Sequence, residues 1–113
     1  MQALKLPYRV VAKCTGDMTW GDARQYDIET WLPSEGKYRE THSASNTTDF
    51  QSRGIRAQYR DGGEKGFVHT LNATGFAIGR TIIMIIENYQ TKEGYVRVPK
   101  VLQKYLGKKI IGN

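Results

Sequence analysis

The chain has 113 residues, 39% of them hydrophobic and 25% charged, with a formal net charge of +6. This describes one globular domain rather than a disordered chain, burying roughly 60–68% of the surface its unfolded form exposes. The single cysteine, Cys14, excludes an intrachain disulfide and a cysteine-based zinc cluster, and on a β-branched strand it is expected to be a small core residue. The longest apolar run, residues 81–86, is far below the ~20 residues of a membrane span. The N-terminal stretch, broken by Pro7, is too short for a secretory signal. A cytoplasmic protein without membrane contact is the expectation. The positive charge favours polyanions, yet Arg9, Lys13, Arg24, Arg39, Arg53, Arg56 and Arg60 fall in separate segments. Without aromatic–basic alternation, solvated faces around an enzyme domain outweigh a nucleic-acid patch.

In chain order, residues 2–6 look like the end of a helix, and residues 8–13 suit a strand. Residues 25–32 alternate, which predicts Tyr26, Ile28, Thr30 and Leu32 on one face and Asp27, Glu29 and Trp31 on the other. A turn at residues 33–36 leads into an extended run over residues 37–45. Residues 46–49 read as a helix N-cap and residues 50–53 as a short helix ending at Gly54. Residues 55–60 and 67–71 read as a hairpin around a turn at residues 61–63. A helix over residues 76–90 follows, then a short one from Pro99. The sum is an α+β fold, an antiparallel sheet flanked by helices, in one domain over residues 1–113.

The segment FVHTLNATGFAIGRTIIMIIENYQ, residues 67–90, joins small polar residues to an apolar helix with Arg80 on its first turn. Burying that guanidinium without an anion costs several kcal/mol, about what an uncompensated charge loses, so a phosphate or carboxylate partner is expected. On the strand at residues 37–45, period-two geometry puts Glu40 and His42 on one face and Arg39, Thr41 and Ser43 on the other. A carboxylate and a hydroxyl suit magnesium, although spacing alone favours a polar edge strand. Asp27 and Glu29 share a face, where such carboxylates are more often partners of arginines than a catalytic pair. Nothing fixes a nucleophilic arrangement around His42 or His69. Asn72 and Thr74, taken by themselves, read equally well as turn residues.

The chain resembles the C-terminal portion of the catalytic domain of seryl-tRNA synthetase, a class II aminoacyl-tRNA synthetase. The resemblance runs through LPYRVV at 6–11, CTGDM at 14–18, YDIETWLPS at 26–34, YRE at 38–40 and DFQSR at 49–53. It continues through HTLNATGFAIGRT at 69–81, ENYQ at 87–90 and VPKVLQKYLG at 98–107. It implies a partial class II catalytic domain in which Arg80 is the arginine of motif 3 and contacts the ATP triphosphate. Asn72 and Thr74 then match the serine pocket. Glu40 and Ser43 match the pair that holds Mg2+ on the ATP phosphates, and Asn46 lies in the same segment as an ATP-site residue. The implied reaction makes seryl-adenylate from serine and ATP and passes serine to tRNA(Ser), in a parent expected to be a homodimer. His42, Ala44 and Gly54 depart from the family's usual serine, cysteine and arginine. Motifs 1 and 2 are not found, so an excised piece, inactive by itself, is the leading expectation. The alternatives are a non-catalytic synthetase-derived nucleotide- or RNA-binding module and an RNA-binding domain unrelated to ATP.

Overall fold

The structure, a computed structural model, describes residues 1–112. The elements in order are β1 (Tyr8–Ala12), β2 (Arg24–Leu32), β3 (Lys37–Asn46), α1 (Phe50–Ile55), β4 (Gln58–Asp61), β5 (Glu64–Phe67), β6 (Leu71–Ala73), α2 (Ile78–Tyr89), β7 (Val96–Arg97), α3 (Lys100–Leu106) and β8 (Ile110–Ile111). One four-stranded sheet has the order β1-β2-β3-β6, and two-stranded pairs are formed by β4 with β5 and by β7 with β8. This is the expected α+β architecture. No helix among the described residues is long and apolar enough to cross a membrane.

The chain divides into two compact units, and several strands contribute to both. The first unit comprises Met1–Arg9, Ile28–Thr41 and the chain from Phe76. Its core is Leu4, Leu6, Leu32 and Met84, with Met1, Ile85, Tyr89 and Leu102 packed around them. Helix α2 brings Met84 to this core because apolar residues recur at helical spacing along one of its faces. Polar side chains then fix its C-terminal half. Asn88 Nδ2 donates to the carbonyls of Trp31 (3.0 Å) and Met84 (2.8 Å). Tyr89 Oη donates to the carbonyl of Leu4 at 2.6 Å, and the backbone amide of Ser34 donates to the Glu87 carboxylate at 2.9 Å. The hydroxyls of Thr30 and Thr41, both fully enclosed, lie 3.1 Å apart, and Thr41 also bonds the Ile28 carbonyl.

The second unit comprises Val10–Asp27 and His42–Gly75. Here the turn glycines set the register. Gly62 and Gly63 both have positive φ (52° and 95°), the backbone of a two-residue hairpin turn, so Asp61 pairs with Glu64 and Gln58 with Phe67. The hairpin's second strand is therefore Glu64–Phe67, not residues 67–71, and Leu71 opens β6, which pairs antiparallel with β3. Thr47, almost fully buried, receives support on both sides: its amide and hydroxyl each donate to the Thr70 carbonyl, at 3.1 and 3.0 Å. Helix α1 continues through Gly54 and stops only where Arg56 takes a left-handed conformation with φ 56°. Trp20 meets Phe50 edge to face at 5.5 Å, and Arg53 lies over the Phe67 ring at 4.9 Å.

Alternation puts Tyr26 and Asp27 on opposite faces of β2, and the structure encloses Asp27 rather than Tyr26. Asp27 is 2% exposed while Tyr26 on the same strand is 42% exposed. The carboxylate can be enclosed because Lys13 Nζ lies 3.1 Å from it and the Gln25 amide donates to it at 3.0 Å. Lys13 is bonded to both Asp17 and Asp27, which raise its pKa and keep it charged. Cys14 is exposed rather than a core residue.

Replacing Asp27 by alanine strands the Gln25 amide and one side of the Lys13 ammonium. It is expected to lower the melting temperature by roughly 5–10 °C, whereas Asp17→Ala, at an exposed carboxylate, has the smaller effect. Circular dichroism melts of both variants decide this, and the reverse order would remove the enclosed pair as the stabilising one. Tyr89→Phe deletes only the bond to the Leu4 carbonyl and is expected to cost about 1 kcal/mol in urea unfolding with the slope unchanged.

Candidate functional site

In the first unit, Arg80 is the third residue of α2, on its opening turn. Ala77 and Gly79 precede it, alternating with Phe76 and Ile78, whose side chains are exposed. Its Nη1 donates to the backbone carbonyl of Glu40 at 3.0 Å and lies 3.5 Å from the Glu40 carboxylate. The guanidinium side chain is 58% exposed and that of Glu40 45%, so the expected burial of the arginine is not what the fold provides. The carbonyl bond instead anchors one nitrogen and leaves the remaining donors of the fork directed to solvent. A cleft of about 350 Å³ surrounds the pair, lined by Leu32, Arg39, Glu40, Arg80, Ile83 and Met84.

Arg39 was not anticipated as part of this cleft. Strict alternation along β3 predicts it on the face opposite Glu40, yet its long, exposed side chain also lines the cleft, held to Glu35 at 2.5 Å. The signal available in sequence was the Glu35…Arg39 spacing, which pairs a carboxylate in the turn before β3 with an arginine on the strand. Asp27 and Glu29 are not a catalytic pair. Glu29 is bonded to Arg9 at 2.5 Å, within the first unit, and Asp27 to Lys13, within the second.

In the second unit, the register of β3 with β6 sets Ser45 opposite Asn72, Ala44 opposite Ala73 and Asn46 opposite Leu71. The Thr74 amide donates to the Ser43 carbonyl at 2.9 Å, continuing the pairing by one step. The fold thereby brings Ser43 beside Thr74 and Asn46 near Asn72. Antiparallel partners share a face, so Ser45 stands with Asn72. Asn72 and Thr74 are exposed, as is Asn46, whose side-chain carbonyl accepts from the Thr48 amide at 2.9 Å. A second cleft, of about 230 Å³, is lined by Arg24, Tyr26, Ala44, Ser45, Asn46, Leu71, Asn72 and Ala73. Arg24 and Ser45 are its unanticipated polar members. Period-two alternation in β2 puts Arg24 with Tyr26. Ser45 also donates to Asp22 at 3.0 Å. Burial lowers the pKa of His42 and keeps it neutral, so it brings no charge to this segment of β3.

For a divalent cation, the Glu40 carboxylate is available in the first unit and the Ser43 hydroxyl in the second. Each is a hard oxygen donor of the kind magnesium takes, one or two at a time, filling its shell with water and phosphate. Among the described residues no group of three or more His, Cys, Asp and Glu side chains forms an all-protein metal site.

Comparison with known proteins bears out the resemblance read from sequence. Residues 1–89 match the family described as tRNA synthetase class II core domain (G, H, P, S and T). The serine--tRNA ligase of Trichormus variabilis is 53% identical over 113 residues, covering 98% of this chain and 26% of that protein. Among solved structures, seryl-tRNA synthetase from Pyrococcus horikoshii complexed with ATP superposes with a TM-score of 0.93 at 51% identity, over 97% of this chain and 25% of that one. The cytoplasmic serine-tRNA ligase of Naegleria fowleri in complex with AMP gives 0.88 at 46% identity, over 97% and 26%. The chain thus spans about a quarter of the length of the relatives it matches. With Arg80 on the opening turn of its helix, and with a match over residues 1–89, this chain belongs to the tRNA synthetase class II core domain family (G, H, P, S and T).

Proposed function

We propose that this chain is the motif 3 portion of the catalytic domain of a serine–tRNA ligase, with motifs 1 and 2 outside it. The parent would be a cytoplasmic homodimer that activates serine with ATP and transfers it to tRNA(Ser). The observation that carries the reading is Arg80, anchored through one nitrogen on the Glu40 carbonyl with the rest of its fork open to solvent. ATP and AMP in complexes of two similar proteins support a nucleotide as the anion it meets.

The chemistry follows from charge. A serine carboxylate oxygen attacks the α-phosphorus in line, the bond to pyrophosphate breaks, and seryl-adenylate forms without a covalent enzyme intermediate. Negative charge grows on the phosphate oxygens, and Arg80 offers it a planar, bidentate donor. The contact between Arg80 and Glu40 is easily exchanged, because an ion pair this exposed is worth little in water. Glu40 and Ser43 would hold magnesium, which when bound supplies neutralisation of the phosphate charge. Asn46 is assigned to the same nucleotide segment. Asn72 and Thr74 give serine's hydroxyl hydrogen-bonding partners, which a competitor lacking that hydroxyl leaves unpaired.

In a parent-length enzyme, Arg80→Ala is expected to depress serine-dependent ATP–pyrophosphate exchange by about 10²–10³-fold, and Arg80→Lys by less. Normal exchange in the alanine variant would sink the assignment. For the 113-residue chain itself, a non-hydrolysable seryl-adenylate analogue is expected to raise the melting temperature more than its alanyl counterpart does. Equal shifts would remove the serine pocket from Asn72 and Thr74, and a cooperative melt without a shift would mark a folded piece that lacks enough of the site to bind.

A further inference from the structure

One of the polar residues that fasten the C-terminal half of α2 is bonded to the segment that carries Glu40. Glu87, half-buried and seven residues after Arg80, receives two bonds from a single residue: the Ser34 amide and the Ser34 hydroxyl each donate to its carboxylate at 2.9 Å. Ser34 lies in the tight turn Pro33–Glu35 that leads into β3. Pro33 has no N–H, so the Ser34 amide is the first donor of that turn, and a carboxylate from another element caps it. Bonds to a charged acceptor are stronger than neutral ones, and two of them fix direction as well as distance.

Toward the start of the helix, Arg80 Nη1 donates to the Glu40 carbonyl at 3.0 Å. Arg80 and Glu87 are about 10 Å apart along the axis of α2, while Ser34 and Glu40 belong to one continuous turn-and-strand segment of the same unit. The helix is therefore tied to that segment at two points in an antiparallel sense, Arg80 to Glu40 and Glu87 to Ser34. The Arg80 end is the weaker, because its side chain is largely exposed and its ion pair is screened by water. Met84, between the two on the helix, packs in the core with Leu32, but apolar contact leaves a helix free to slide. The Glu87 end thus decides where along β3 the guanidinium arrives.

The same turn reaches a second guanidinium. Glu35, next to Ser34, holds Arg39 at 2.5 Å, and Arg39 lines the cleft that contains Arg80 and Glu40. Asn88 and Tyr89 also fasten α2, but to the carbonyls of Trp31 and Leu4, which lie before the turn. Glu87 is the member of this set bonded to the segment that carries the cleft residues Arg39 and Glu40. A displacement of about 1 Å at a reacting centre can cost about 100-fold in rate, so even a remote tie bears on the chemistry.

We propose that Glu87, acting through Ser34, is a positioning residue for Arg80 in the adenylation step. It touches no substrate, and it sets the point on β3 at which the guanidinium is presented. The kinetic consequence rests on the reading of this chain as part of a serine–tRNA ligase. The structural part, that Glu87 places Arg80 beside Glu40, does not.

The structural part is tested in the 113-residue chain by NMR of the Arg80 Nε–Hε group, assigned by its loss in Arg80→Lys. Glu87→Ala is expected to move that signal toward the position of a free arginine side chain. Glu87→Gln, which keeps an acceptor oxygen, should move it less, and Glu93→Gln should leave it in place. The kinetic part is a double-mutant cycle on serine-dependent ATP–pyrophosphate exchange in a parent-length enzyme. Glu87→Ala is expected to lower kcat by about tenfold with the KM for ATP little changed, and to have no further effect when Arg80 is already alanine. Ser34→Ala, which keeps the amide bond, should act in the same direction by less, and it carries both measurements if Glu87→Ala does not fold. An unmoved Arg80 signal would overturn the proposal. An equal loss of exchange with and without Arg80 would do the same, since it marks a purely structural role. Normal exchange in Arg80→Ala would instead remove the ligase reading, and the NMR signal would still decide whether Glu87 places the guanidinium.

Discussion

The position of the candidate site in the first unit depends on how α2 is fastened to β2. Met84 gives the helix its apolar footing beside Leu32, but hydrophobic contact does not specify where along its axis a helix stops sliding. That register comes from directional bonds at the far end: Asn88 to the Trp31 carbonyl, Glu87 to Ser34, and Tyr89 to the Leu4 carbonyl. Arg80 lies two helical turns before Glu87, so these bonds also place its guanidinium. A charged side chain is thus aimed by neutral and capping interactions at the other end of its own helix, leaving it free for a ligand.

The electrostatics divide into two kinds. Asp27 and Lys13 are enclosed together, and each limits the cost of desolvating the other. Glu40 and Arg80 are half exposed, and solvent screening makes their pair weak enough to be exchanged for a phosphate or a metal ion. The first kind holds the fold together and the second is kept available for chemistry.

Much of the molecule was legible in the sequence. Period-two alternation located β2, a turn followed by an extended run located β3, an apolar run after small polar residues located α2, and the residues around Arg80 pointed to an anion site. The misplacements have physical causes. Alternation separated Tyr26 from Asp27 but left open which is enclosed, because it cannot register Lys13, whose ammonium makes the buried aspartate tolerable. The hairpin's second strand was placed at residues 67–71, past its actual position at Glu64–Phe67. The positive φ angles of Gly62 and Gly63 impose a tight turn, and Leu71 finds a partner in β3 instead. Helix α1 outran Gly54, since a glycine at a helix end permits a stop without requiring one.

By itself the sequence determined the classes of element, the family, and the residue types at each candidate position, because these depend on local periodicity and on order along the chain. Only tertiary structure decided which of them meet. The bond from Arg80 to the Glu40 carbonyl spans forty residues, and the pairing of Ser45 with Asn72 joins strands separated by a helix and a hairpin. Such meetings are fixed by long-range backbone pairing and side-chain bonds, whose geometry no local pattern encodes.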